Sequence, residues 1–393
     1  MSIAQKMEGF ITRASWIRKM FEEGEKLKKI YGVDQVFDFS LGNPDLEPPD
    51  AFFKFLEKEA LLHKGHGYMP NAGFEETREA VANYLKREHN LPFSFEHIVM
   101  TCGAAGAINI ALKALLDPGD EIIVPAPYFV EYNFYIDNHN GVLKVVPTKD
   151  NFDLDLEVIA HNITIKTKAI LLNSPNNPTG QIYSVETLKG LAKILEKHVQ
   201  QTNRIVYIIM DEPYHKIVYD NCTIPSIFQV YPQTLVADSF SKSLSIPGER
   251  IGYLAVNPEA AHKSSIIKAA ILANRILGFV NAPALMQRVI IHVLDETVDV
   301  RQYQYKRDLL CEGLSKMGFS FIKPKGAFYL FPKSPILDDI AFVEALKKER
   351  ILAAPGSGFA APGYFRLSFC VEISTIENAL PYFENVARVF NLV

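Results

Sequence analysis

Cysteine is scarce and scattered. The 393-residue chain has four, Cys102, Cys222, Cys311 and Cys370, with no Cys-x-x-Cys pair and no histidine at metal-ligand spacing. That excludes a disulfide framework and leaves no metal to expect. Free thiols point instead to a reducing compartment. A positive surplus is missing too: 41 Lys+Arg against 45 Asp+Glu give a formal net charge of −4 without a long block of one sign. Nothing draws such a chain to nucleic acid. Long apolar runs are absent, and the stretch 205–210 is far short of a membrane span. The start, Met1-Ser-Ile-Ala-Gln-Lys-Met-Glu8, lacks the apolar segment of a signal peptide. No repeat, low-complexity tract or flexible linker interrupts the chain. These absences predict a cytoplasmic protein whose partners are small molecules or further copies of itself.

What is present is ordinary globular composition, 48% hydrophobic and 22% charged, enough for one large domain and a smaller one. Ile17, Met20, Phe21, Leu27 and Ile30 recur at roughly helical spacing before Gly32 and predict a helical arm over 15–31. From about residue 95, short apolar runs at 97–101, 121–124, 142–146, 168–172 and 205–210 alternate with amphipathic stretches, including a helix to 116 and another from 184. That alternation predicts an α/β fold whose mostly parallel sheet is flanked by helices. Beyond residue 285 the pattern changes. One long helical run over 284–317, strands over 326–331, 351–354 and 365–369, and helices over 338–350 and 374–390 predict a smaller α+β domain. The expected division is 1–45 as N-terminal arm and part of the small domain, 46–285 as the large domain, and 286–393 as the C-terminal small domain.

Ligands of open parallel sheets lie beyond the carboxyl ends of the strands, so polar residues directly after apolar runs are candidate site residues. Thr101-Cys-Gly-Ala-Ala-Gly-Ala107 follows a strand and opens a helix, offering backbone N–H groups to an anion. Asn173-Ser-Pro-Asn-Asn-Pro-Thr-Gly180 follows 170–172. Asp211-Glu-Pro-Tyr214 puts a carboxylate at the end of a buried strand, where it needs a cationic or hydrogen-bonding partner. Lys242 sits among serines after Leu235-Val-Ala237 and shortly before Arg250, a pattern that suits a phosphate beside a nucleophilic amine.

Taken in order, these stretches resemble the class I and II aminotransferases, the fold type I enzymes that carry pyridoxal 5′-phosphate. The resemblance runs through Leu41-Gly-Asn-Pro-Asp45, Tyr68-Met-Pro-Asn-Ala-Gly73, Gly103-Ala-Ala105, Pro127-Tyr-Phe129, Asn177-Pro-Thr-Gly180, Asp211-Glu-Pro-Tyr214, Ser239-Phe-Ser-Lys242, Pro247-Gly-Glu-Arg250 and Arg366-Leu-Ser-Phe369. It implies a seven-stranded sheet and a catalytic set of Lys242, Asp211 and Tyr214. By the resemblance, Lys242 bonds to the cofactor aldehyde and later shuttles the substrate Cα proton. Asp211 pairs with the pyridine nitrogen. Tyr214 and Asn177 hydrogen-bond the phenolic oxygen, with Asn173 supporting Asn177 and Phe129 stacking on the ring. The phosphate lies on the helix start at Gly103, Ala104 and Ala105, completed by Ser239, Ser241 and Arg250. Tyr68 reaches that phosphate from a neighbouring subunit, which implies a homodimer with shared sites. Arg366 grips the substrate α-carboxylate, with Asn177 beside it and Gly42 and Asn43 forming the loop above.

The implied reaction is a ping-pong transfer of an amino group between an L-amino acid and a 2-oxo acid, of aspartate aminotransferase type. Ala105 stands where many aspartate-specific relatives place a lysine for the second carboxylate, and Arg275 lies close to where some place an arginine from the other subunit. A pyridoxal-dependent C–S β-lyase, or a regulatory binding protein of the same fold, remains an alternative, because fold and cofactor do not fix the reaction.

Overall fold

The computed structural model describes residues 3–13, 15–63, 65 and 67–393, with side chains at 12–22 outside the description. The expected arm forms as a helix over Ser15–Tyr31, preceded by another over Gln5–Arg13; the Ile17, Met20 and Phe21 stripe falls in the undescribed part. β1 (Phe37–Asp38) follows. The central sheet then collects β2 (Ile98–Thr101), β3 (Glu121–Ala126), β4 (Val142–Pro147), β5 (Thr167–Asn173), β6 (Tyr207–Asp211), β7 (Thr234–Ser239) and β8 (Gly252–Val256). Their order is β2-β8-β7-β6-β5-β3-β4. β3 to β7 pair in parallel, and β8 alone runs against its neighbours β7 and β2.

Strand periodicity shows why this sheet is covered on both faces. Ile208 and Met210 enter one apolar cluster together with Ile170 and Leu172. Tyr207 and Ile209 enter the opposite cluster with Ala169 and Leu171. Alternate side chains point to opposite faces, and here both sets are buried, as expected of parallel strands sandwiched by helices. Asp211 continues the second series. It therefore emerges on the face covered by the helix Gly103–Leu115, which packs on β7 and β8.

A second core gathers the C-terminal part. β9 (Tyr329–Leu330), β11 (Ala354–Pro355) and β12 (Phe365–Ser368) form an antiparallel sheet in the order β11-β12-β9, while β10 (Ile351–Leu352) pairs with β1 in parallel. Phe37 and Phe39 consequently pack with Phe328, Leu367 and Phe383. The single helix expected over 284–317 is instead two, Ala284–Ile290 and Val300–Lys316. The break has a local cause: the Asp299 carboxylate accepts the Arg301 N–H and starts a new helix, the usual role of an N-cap aspartate. The strand expected over 326–331 is shorter, limited to β9.

One contact in this frame sets the floor of the cavity described below. Gly252 in β8 pairs with Ser239 on one side and Thr101 on the other. A Cβ on Gly252 would press on the Asp238 carbonyl and stand 2.9 Å from the Gly103 Cα. Glycine there lets the start of the helix Gly103–Leu115 close onto the sheet. Gly252→Ala is expected to lower stability by about 2–4 kcal/mol, measured by denaturant unfolding. Gly248→Ala, where a Cβ meets nothing within 4 Å, serves as the control with a change under about 0.5 kcal/mol.

Candidate active site

Strand register carries the polar residues to one edge of the sheet. Asn173 pairs with Asp211, Asp211 with Ala237, and Ser239 with Gly252. The edge opens into a cavity of about 390 Å³. Among the residues expected at a site, Gly42, Ala104, Ala105, Phe129, Asn173, Asn177, Asp211, Tyr214, Ser239, Ser241, Lys242, Arg250 and Arg366 line it. Gly103 lies just behind, at φ +73° and against Arg250: a Cβ there would stand 3.0 Å from the Arg250 guanidinium. Asn43 and Tyr68 are outside the lining, and Tyr68 is 94% exposed. Arg275 is exposed on the helix Lys263–Ile276 and also outside it.

One end of the cavity is an anion cradle. The helix Gly103–Leu115 begins there after Cys102, with no side chain capping its first N–H groups, so those donors remain free for a ligand. Ser239, Ser241 and Arg250 line the same cavity. Arg250 is pinned by a hydrogen bond from Nη1 to the Pro247 carbonyl at 2.8 Å.

The middle holds an amine and a carboxyl whose charged forms are both disfavoured by burial. Lys242 donates to the Gly42 carbonyl at 2.9 Å. Burial lowers its amine from 10.5 to about 8, and Arg250 and Arg366 press in the same direction against an opposing effect of Cys370. Asp211 is raised to about 7, chiefly by burial and in part by Asp238, with a hydrogen bond from Tyr132 opposing. That bond, from the Tyr132 hydroxyl to Oδ2, is 2.6 Å long. Oδ1 is buried and has no partner among the described residues. A carboxylate oxygen in this state awaits an N–H or a cation.

At the other end Arg366, 3% exposed, donates from Nη1 to Asn177 Oδ1 at 3.0 Å and from Nη2 to the Ser40 carbonyl at 2.7 Å. Its guanidinium carbon lies 4.7 Å from the ring centroids of both Tyr329 and Phe359. Nε is buried and has no acceptor among the described residues, which leaves this cation able to take a carboxylate. Asn177 is itself held by Asn173, whose Oδ1 accepts the Asn177 N–H at 2.6 Å and whose amide donates to the Asp211 carbonyl at 2.9 Å.

Two lining or supporting residues escaped sequence reasoning. Tyr132 follows Phe129 by three residues, a helical offset that carries a sequence hint. Tyr329, 2.9 Å from the Tyr214 hydroxyl, comes from a distant strand and carries none. The assembled set contains a nucleophilic amine, a cradle for a phosphate, an ionisable carboxylate lacking its partner, and an arginine ready for a carboxylate.

Comparison with known proteins agrees with this inventory. The family model for aminotransferase class I and II matches residues 34–383. A probable aspartate aminotransferase of Methanocaldococcus jannaschii is 36% identical, over 87% of this chain and 91% of that protein. An aromatic-amino-acid aminotransferase of Thermococcus litoralis is 30% identical over the full length of both. The crystal structure of an amino transferase from Eubacterium rectale superposes with a TM-score of 0.96 at 39% identity, covering all of both chains.

The lowered amine gives a direct chemical expectation. The unfolded chain keeps the Lys242 proton up to about 10.5 and the folded chain sheds it near 8, so this group adds stability as pH rises between those values and opposes folding below them. In cofactor-free protein, trinitrobenzenesulfonate labelling of Lys242, followed by peptide mass spectrometry, is expected to rise with a midpoint near pH 8. A midpoint at the ordinary lysine value contradicts the environment described.

Proposed function

We propose that this chain, which belongs to the class I and II aminotransferase family and with it uses pyridoxal 5′-phosphate, transfers an amino group between an L-amino acid and a 2-oxo acid in two half-reactions at the one site. The residues present fit the cofactor, and the buried, partnerless Oδ1 of Asp211 is the observation that carries the reading. A pyridinium N–H satisfies that oxygen and restores the carboxylate to its charged form. When bound, the cofactor supplies an electron-accepting ring that stabilises negative charge at the substrate Cα.

The chain's own groups do the rest. Lys242 is the amine that bonds to the cofactor and then, set free, moves the proton at the substrate Cα. Its lowered pKa leaves a useful neutral fraction near neutral pH. Ser239, Ser241, Arg250 and the N–H groups of Ala104 and Ala105, at the helix that opens with Gly103, hold the phosphate. Phe129 covers the ring face, and Tyr214 and Asn177 bond the phenolic oxygen, with Asn173 fixing Asn177. Arg366 holds the α-carboxylate, orienting the Cα–H bond for transfer. Gly42 and Asn43 form the loop over it.

Relatives named for aspartate and for aromatic amino acids support a dicarboxylic or an aromatic amino donor. The working assembly is a homodimer in which Tyr68 reaches the phosphate of a second copy; its near-complete exposure away from its own cavity supports this reading. The four unpaired thiols support a reducing, cytoplasmic setting.

Borohydride reduction of the holo form is expected to fix the cofactor on Lys242, as read by mass spectrometry; label on another lysine removes the reading. Arg366→Lys is expected to lower kcat/KM for every amino donor by on the order of 100-fold, because an ammonium cannot make the forked contact. A screen of aspartate, glutamate, alanine and phenylalanine settles the donor. Equal rates for alanine and aspartate end the dicarboxylate reading and, with it, any substrate role for Arg275.

A further inference from the structure

Tyr329 touches three working parts of the cavity at once. Its hydroxyl lies 2.9 Å from that of Tyr214, its hydrogen-bond partner among the described residues. Its ring faces the Arg366 guanidinium at 4.7 Å. The same ring lies against Gly42, where an added Cβ would stand 2.8 Å from Cζ, and the Gly42 carbonyl is the acceptor of the Lys242 amine. Glycine at 42 is what lets the ring in. β9 pairs with β12 through Tyr329 and Ser368, so Tyr329 and Arg366 ride on one small antiparallel sheet, whereas Tyr214 follows the end of β6.

Proton counting sets the direction of the phenol pair. Tyr214 has a single hydroxyl proton, and giving it to the cofactor's phenolic oxygen requires Tyr214 to accept from Tyr329. The Arg366 cation favours that order. Burial raises Tyr329 only to about 12, with Arg366 holding it down, and drives Tyr214 higher; the more acidic phenol is the better donor.

We propose that Tyr329 is a positioning residue that relays occupancy of the Arg366 carboxylate site to Tyr214. With Arg366 unneutralised, the Tyr329 hydroxyl is polarised, donates firmly to Tyr214, and strengthens the bond that Tyr214 gives the cofactor oxygen. A carboxylate seated on Arg366 cancels that charge and slackens the chain. The group that titrates in the visible spectrum then keeps its proton to a higher pH. Substrate binding thereby changes the acid–base state around Lys242 from the far end of the cavity, without a contact between the carboxylate and the cofactor.

The relay rests on the cofactor reading above, and the test separates the two. Wild-type and Tyr329→Phe holoenzymes are titrated by visible absorbance with and without propionate, a carboxylate that has no amine to react. In the wild type, saturating propionate is expected to raise the midpoint by about 1 pH unit. Tyr329→Phe keeps the ring over Arg366 and loses only the hydroxyl. It is expected to titrate about 1 pH unit higher without ligand, to retain less than about a third of the propionate response, and to bind propionate within about threefold of wild type. Tyr329→Leu removes the ring as well and is expected to weaken propionate by on the order of tenfold. A wild-type protein with no visible band reducible onto Lys242 removes the cofactor reading. A wild-type band indifferent to propionate, or a Tyr329→Phe enzyme with the wild-type midpoint and response, overturns the relay alone.

Discussion

A carboxylate at the end of a strand buried on both faces is the constraint around which this cavity is built. Asp211 inherits its burial from β6, whose residues alternate between two closed apolar layers. Desolvation then favours the protonated acid. Tyr132 satisfies one oxygen, Asn173 ties down the adjoining backbone carbonyl, and the other oxygen has no partner among the described residues. The fold thus stores an unmet electrostatic demand, and an aromatic nitrogen able to carry a proton answers it. Burying the acid disfavours the empty site and strengthens the occupied one, because the same low dielectric acts on both.

The second organising fact is that the cavity straddles two cores. Tyr214 leaves the large sheet yet packs in the small cluster with Phe328 and Tyr329. Among the hydrogen bonds that cross the seam at the cavity are Lys242 to Gly42, Arg366 to Asn177, and the pair of phenols. The first two each join a group suited to the cofactor to one suited to the substrate. A change in how the small sheet sits is therefore felt by the catalytic amine through bonds of ordinary length.

Much of this was legible in the chain because the chemistry clusters at strand ends, and strand ends leave local traces. The Asp211, Lys242 and Asn173–Asn177 stretches each follow a short apolar run, and the mostly parallel sheet was readable from the alternation of such runs with helices. What escaped notice depends on distance. Tyr329 meets Tyr214 across 115 residues, and nothing in Gly326-Ala-Phe-Tyr distinguishes a phenol aimed at a cavity from one filling a core. Tyr132 had a helical offset from Phe129, but its value appears only once Asp211 is known to face it. The run over 284–317 misled because the helical period continues past a turn, and the lone capping carboxylate of Asp299 is a weaker signal than thirty residues of amphipathic pattern.

The pairing of β1 with β10 ties the beginning of the chain to its end, and Arg366 reaches back 326 residues to the Ser40 carbonyl. On a ribosome, Phe37 and Phe39 emerge early and wait, with apolar surface uncovered, until nearly the last helix has been made. Vitamin B6 loading is accordingly a late event: the nascent polypeptide can finish its large sheet, but it cannot close the pocket until synthesis is almost over.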